Sequence, residues 1–352
     1  MIFLAAVAAL LLGASTAYVA SADVRYLARA GLEETRILRS ARPIPDIVAD
    51  ASTPPELRST LRLVLDAREY AARLGLEAGE TYTTYTDVGR DTLMLVLQAA
   101  PRDCICPYTW KWPIVGRMPY KGFFDAKEGL AAADRLAARG YDTFLRPAGA
   151  FSTLGWFNDP LLSTAITRDS MELVATVLHE IAHNSLYVKS ATPFNESFAQ
   201  VVGYRAAQAF FEQRGDTASA RYASDRLQDE IVLGGFYGDL VARLNVLYAS
   251  KPDSATLDSG RAEAGRWARE QLEGPVGASL RTFTIGRLPD RPVNNARLIG
   301  ATIYRSKLDL FDAWYARQGR DVSKMVASLR ELMDGAEGDE AFRRLEAVAA
   351  DR

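Results

Sequence analysis

From residue 168 to its C-terminal end the chain carries one helical pattern after another, and this constrains the fold more than any other feature. Apolar residues recur at three- and four-residue spacing over 170–187, 193–213, 217–249, 256–273, 295–317, 321–334 and 338–349. Gly234-Gly235 is the natural place for a break in the third of these. Before residue 168 the pattern is mixed. Residues 23–40 read as a helix closed by Arg42-Pro43-Ile44-Pro45. Thr53-Pro54-Pro55-Glu56 opens another, with Thr53 as its cap and Gly75 as its stop. Aromatic and β-branched runs at 82–88, 93–97 and 108–110 read as strands, broken by Pro101, Pro107 and Pro113. A strand at 120–124, a helix at 126–139 and a strand at 141–145 make one β–α–β step. FSTLGWF at 151–157 is a last extended stretch. The expected fold class is α+β. Residues 1–22 form an apolar leader, 23–167 a mixed portion holding a small sheet, and 168–352 a helical portion.

Charge removes one class of partner. Lys and Arg number 42 against 44 Asp and Glu, a net charge of −2, so no basic field gathers phosphates and nucleic acid is excluded. Two cysteines rule out a disulfide-built scaffold and a four-cysteine zinc site. Cys104 and Cys106 read as small apolar residues in an extended segment, because a bond between them closes a very small ring. Residues 2–20 contain no charge and can just span a bilayer. The same run, ending Ala20-Ser21-Ala22, also fits an export signal. Either reading places the rest of the chain in a cell envelope, with the membrane as partner if the segment is retained. Leu11-Leu12-Gly13-Ala14 has the form of a lipoprotein cleavage box, but Ala14 lacks the thiol that lipid would need.

Both histidines of the chain sit in one motif, His179-Glu180-Ile181-Ala182-His183. Residues four apart share a helix face, so two imidazoles at this spacing can bind one zinc ion. Leu173, Val174, Val177, Leu178 and Ile181 supply the apolar stripe of that helix, leaving His179 and His183 on another face with Thr176 and Glu172. Glu180, one residue beyond the first ligand, can reach a water on the metal and take its proton. Two histidines fall four apart by chance in roughly one chain in 180, and a Glu after the first divides that by about fifteen. With no third histidine, a third protein ligand must be Asp, Glu or Cys. Glu196 in Thr192-Pro193-Phe194-Asn195-Glu196 answers this, in the first turns of a helix that Thr192 caps and Pro193 begins. Ala199 and Gly203, on the same side as Glu196, let that helix come close to the first. Imidazole and carboxylate ligands suit zinc, and also manganese or iron.

His179-Glu180-x-x-His183 followed by Asn195-Glu196 is similar to the gluzincin metallopeptidases. YLARAGLEETRILRSARPI at 26–44, FSTLGWFNDP at 151–160, LYVKSATPFNESFA at 186–199 and NNARLIGATIY at 294–304 resemble the bacterial "putative aminopeptidase" family. That resemblance implies a zincin-like fold, Zn2+ as cofactor, a peptide substrate and a place in the cell envelope. It departs at Ala14, and at Asn184-Ser185 after the second histidine.

Peptide hydrolysis passes through an oxyanion that needs a donor. Tyr304 is the candidate, with Arg297 behind it; a Tyr that merely packs among helices is the equal alternative. FSTLGWF could lie beside the site as an edge strand, with Ser152, Gly155 and Asn158 in the cleft, or be an ordinary strand and turn. Gln200, four residues after Glu196, is placed to bond a ligand. An aminopeptidase also needs a carboxylate for the substrate's ammonium; Glu172 shares a face with His179, but nothing in the sequence ties it to substrate. The competing function is a catalytically silent envelope protein that keeps zinc for stability as a binding or assembly module. The intact Glu180 argues against it, since a structural zinc site needs no base.

Overall fold

The computed structural model of the protein describes residues 22–112, 116–149, 160–286 and 291–350. The apolar run 2–20 and the stretch 151–157, with Ser152, Gly155 and Asn158, lie outside the described residues. Helix α1 (Ala22–Ser40) leads through β1 (Arg42–Pro43) into a short α2 (Ile44–Ala49). The same prolines that end α1 begin α2, because a proline in a first turn gives up only an amide that has no helical partner. α3 (Pro55–Arg73) follows and stops at Gly75, whose φ of +75° suits glycine. Thr53 does not cap it. Pro54 holds the cap position, and the Thr53 hydroxyl donates instead to the Ile47 carbonyl at 2.8 Å.

The strands come next: β2 (Thr84–Thr86), β3 (Met94–Pro101), β4 (Trp110–Trp112), β5 (Gly116–Met118) and β6 (Lys121–Phe123). Helix α4 (Ala126–Ala137), β7 (Tyr141–Ala148) and β8 (Leu161–Leu162) complete the mixed region. Among the described residues they form three small sheets, ordered β1-β2-β8, β6-β3-β7 and β4-β5. Val96 on β3 pairs with Gly122 on one side and Arg146 on the other, both antiparallel. β6 and β7 are therefore parallel to each other with β3 between them, and α4 makes the crossover. The expected β–α–β step is present, split by β3. After β3, Cys104 and Cys106 are joined by a disulfide, against the reading of two unpaired residues. The loop folds back enough to bring their Cα atoms to 5.2 Å, inside the range a disulfide spans.

Nine helices then follow among the described residues: α5 (Ser170–Ser185), α6 (Thr192–Gln213), α7 (Thr217–Ala249), α8 (Ser254–Glu273), α9 (Pro275–Ser279), α10 (Asn295–Ile303), α11 (Leu308–Arg317), α12 (Val322–Leu332) and α13 (Glu340–Ala350). The protein is mixed α+β and mostly helical. Two expectations fail in this region. α7 runs unbroken through Gly234-Gly235. A Cβ on Gly234 would stand 2.7 Å from the Arg305 carbonyl oxygen, so that glycine admits a neighbouring backbone instead of breaking the helix. The pattern at 295–317 is two helices, because the chain turns over Tyr304–Lys307, with Lys307 at φ +54°.

The larger core joins Leu61, Val64 and Tyr70 of α3 to Leu173 and Leu178 of α5, Phe194 and Phe198 of α6, and Phe311 of α11. Full burial of side chains this size stabilises by roughly 1.5–3 kcal/mol each. A second cluster gathers Phe236, Leu240 and Leu244 of α7 with Ala264 and Leu272 of α8 and Leu298 of α10. α5 and α6 lie at the centre of the larger core, and both carry the candidate metal ligands.

Candidate metal centre

Asp169 caps α5, its carboxylate accepting the amides of Met171 and Glu172 at 2.9 and 3.1 Å. The apolar stripe behaves as its spacing requires: Leu173, Val174, Val177, Leu178 and Ile181 are all buried. Burying that face fixes the rotation of α5 and leaves His179 and His183 at the edge of the core, each partly exposed. Beyond the helix, Asn184 donates to the Glu77 carbonyl and the Thr81 hydroxyl, and Ser185 accepts the Glu77 amide. Asn184 and Ser185 thus tie the end of α5 to the loop after α3.

The loop from α5 to α6 is set by one buried side chain. Asn195 accepts the Val188 amide at 2.9 Å and donates to the Val188 carbonyl at 2.8 Å, so one amide group satisfies both backbone groups. The cap of α6 is Ala191, with Thr192 the first helical residue, one position earlier than the sequence suggested. Gly203 lets α6 reach α5: a Cβ there would lie 2.8 Å from the Ala175 oxygen and 3.2 Å from His179 Cβ.

This brings His179, His183 and Glu196 together. The two Nε2 atoms are 3.2 Å apart, and the Glu196 carboxylate oxygen is 3.5 Å from His179 and 3.7 Å from His183. The point equidistant from the corners of such a triangle lies about 2.0 Å from each, and zinc binds histidine nitrogen and carboxylate oxygen at about 2.0–2.2 Å. The donor set therefore fits a zinc ion with three protein ligands. Burial raises the Glu196 pKa, but hydrogen bonds from the two imidazoles outweigh it and hold the carboxyl at about 2. Burial lowers the His183 pKa, and the bond and charge of Glu196 more than reverse this. An acid beside two basic rings is the electrostatic state a divalent cation would find and replace.

Against the triad lies a cleft of about 190 Å³ lined by Glu172, Thr176, His179, Glu180, Gln200, Tyr204 and Tyr304. Every residue singled out from the sequence for the base, the donor and the ammonium carboxylate is in this lining. Tyr304 stands at the turn after α10, its ring 6.4 Å from that of His179. Burial and then the charge of Glu196 push its phenol up to about 12, so it stays protonated and able to donate. Its neighbour Arg305 is pinned to α7 by an ion pair with Glu230 at 2.5 Å. The Arg297 guanidinium lies over the Phe144 ring, 5.2 Å from its centroid.

Three residues escaped the sequence reading. Tyr204 is four residues after Gln200 and eight after Glu196, a face-sharing spacing that could have found it. Its hydroxyl donates to Glu172 at 3.2 Å. Arg226 pairs with the other oxygen of Glu172 at 2.9 Å, from a distant helix and with no local signal. Tyr120, just before β6, has its phenol pushed up by burial and then by the charge of Glu196, so it feels the centre from the sheet side.

The fold and the site define a class: a mixed α+β, mostly helical protein in which one helical hairpin offers two imidazoles and a carboxylate to a cleft. The chain belongs to the family described as "putative aminopeptidase", whose model matches residues 25–344. No curated protein and no solved structure matches the chain.

Proposed function

We propose that the chain is a zinc-dependent peptidase of zincin-like organisation, an aminopeptidase acting in the bacterial cell envelope. The family description supports aminopeptidase activity on peptides. The observation that carries the metal chemistry is the triangle of His179, His183 and Glu196, sized for one zinc ion beside a cleft that Glu180 lines. Zinc held by these three residues would acidify water and polarise a peptide carbonyl. Glu180, next to His179 but outside the ligand set, takes the proton from the attacking water and later delivers it to the departing amine. Tyr304 donates its hydroxyl to the oxygen that gains charge, a task its raised pKa suits. Residues 1–22 serve as export signal or tether, which the charge-free run 2–20 supports.

The test is metal analysis of the purified protein beside Glu196→Ala and His183→Ala, with peptide cleavage followed for wild type and Glu180→Gln. One zinc per chain that weakens in both ligand variants, with cleavage lost in Glu180→Gln while zinc stays, is the expected result. Retained zinc with function unchanged in Glu180→Gln would instead establish the silent binding module.

A further inference from the structure

Helix α1 carries a basic stripe along its outer side. Arg25, Arg29, Leu32, Arg36 and Arg39 follow one another at spacings of four, three, four and three. A helix turns by about 100° per residue, so this rhythm keeps all five within a sector of about 80°. All five are exposed, and Leu32, in the middle, is 72% exposed. The two nearest acids stand outside the stripe. Glu34 lies on the opposite side of the helix, and Glu33 turns away to pair with Arg90 at 3.0 Å.

The adjoining side of α1 fixes its rotation. Tyr26 stacks on Trp112 with ring centroids 4.8 Å apart, and Ile37 enters a small core with Leu93, Met94 and Val96. With that side held against the sheets, the stripe is turned outward. Glu128 at the start of α4 lies 3.5 Å from Arg29, in a pair that is exposed on both sides. Such a pair is weak and screened by salt, so an anionic surface can take its place.

The position of α1 in the chain says what the stripe meets. Residues 2–20 carry no charge and are long enough to cross a bilayer. Arg25 is five residues beyond Ala20, and even a fully extended chain covers at most about 3.6 Å per residue. A tether at 2–20 would therefore hold the start of the stripe at the headgroups. Arg39 lies fourteen residues on from Arg25, about 21 Å along the helix axis. Standing upright on a membrane, α1 would carry Arg36 and Arg39 beyond the Debye length of about 8 Å at physiological salt. Lying flat, it brings all four guanidinium groups to the phosphates and lets Leu32 dip between them.

We propose that α1 lies flat on an anionic phospholipid surface, with Arg25, Arg29, Arg36 and Arg39 on headgroup phosphates and Leu32 inserted among them. The proposal is independent of the peptidase reading. Two attachments, the run 2–20 and α1, then fix the orientation of the protein as well as its distance from the membrane. An exposed leucine at the centre of the stripe and an apolar run just before it favour lipid over an acidic protein partner.

The experiment uses the full chain with one added thiol, since Cys104 and Cys106 are joined in a disulfide. Leu32→Cys carries a polarity-sensitive fluorophore, and Val246→Cys on α7, at a site 75% exposed, carries it as the control. Each is reconstituted with vesicles of phosphatidylcholine alone and of phosphatidylcholine mixed with phosphatidylglycerol. The expected result is a blue shift of the Leu32 probe with phosphatidylglycerol only, reversed by high salt, while the Val246 probe does not move. A basic residue at an anionic surface is worth about fivefold, so Arg36→Gln with Arg39→Gln should lower the docked-to-undocked ratio about 25-fold. Flotation of the vesicles reads the tether separately. Flotation with both lipid mixtures, together with the shift, is the tethered case. Salt-sensitive flotation with phosphatidylglycerol only is the stripe acting by itself, and both support the proposal. Equal emission of the Leu32 probe on the two kinds of vesicle overturns it, whatever the flotation shows, and returns the stripe to an acidic protein partner. A shift that the Val246 probe shares, or that survives the double variant, marks general adsorption and overturns it too.

Discussion

Gly203 on α6 lies against His179 on α5, so closely that a single added carbon would stand 3.2 Å from His179 Cβ and 2.8 Å from the Ala175 carbonyl oxygen. The ligand helix and the motif helix touch through a residue without a side chain. Gly203→Ala gains about 0.5–1 kcal/mol in helix propensity but overpacks this contact, which costs typically about 1–3 kcal/mol. The expected outcome is a net loss of stability in thermal unfolding, together with weaker zinc binding by competition with a chelator. Unchanged zinc affinity would separate the helix spacing from the metal geometry.

Asn195 is expected to matter as much as the candidate ligand Glu196 beside it. Asn195→Ala strands the buried Val188 amide and carbonyl, and each group left without a partner costs about 1–3 kcal/mol. Chemical denaturation should show the loss. Zinc content should fall as well, because the loop sets where Glu196 enters the site.

Glu180→Gln keeps the shape of the cleft and removes the base. General-base catalysis contributes typically 10²–10⁴-fold, and peptide cleavage should fall by about that factor with metal content unchanged. Turnover measured alongside zinc analysis on the same preparation checks both halves.

The metal-free protein should show an acid-labile contribution from Glu196. Its carboxyl titrates at about 2 in the folded state against an ordinary 4.5. A lowered folded pKa gives stability that is present above the unfolded value and lost as pH falls towards the folded one. Stability should therefore decline between about pH 4.5 and 2, and the decline should shrink in Glu196→Gln, measured by denaturant unfolding across that window.

The sequence made the site more legible than the fold around it. His179, Glu180 and His183 are readable because a helical repeat fixes which residues share a face, and Glu196 follows from the need for a third donor. The helix at 170–187 ends two residues early, at Ser185, where Asn184 and Ser185 turn to the loop after α3. What local pattern cannot show is a contact made from far along the chain. Gly234 looks like a helix breaker until Arg305 is known to pack on it. The turn after Ile303 interrupts a continuous helical periodicity, yet that turn is what carries Tyr304 to His179. Arg226 reaches Glu172 across more than fifty residues, and no spacing rule connects them.

The three donors fall between residues 179 and 196, on two helices joined by a loop that one asparagine closes. Joining the ends of so short a segment costs little chain entropy, and contacts this local form early in folding. On the proposed zinc reading, the hairpin can therefore gather the ion before the rest of the helical portion has docked. The ion would then act first as a folding nucleus and only afterwards as part of an active site, so zinc supply during synthesis should govern the yield of folded chain as well as its activity.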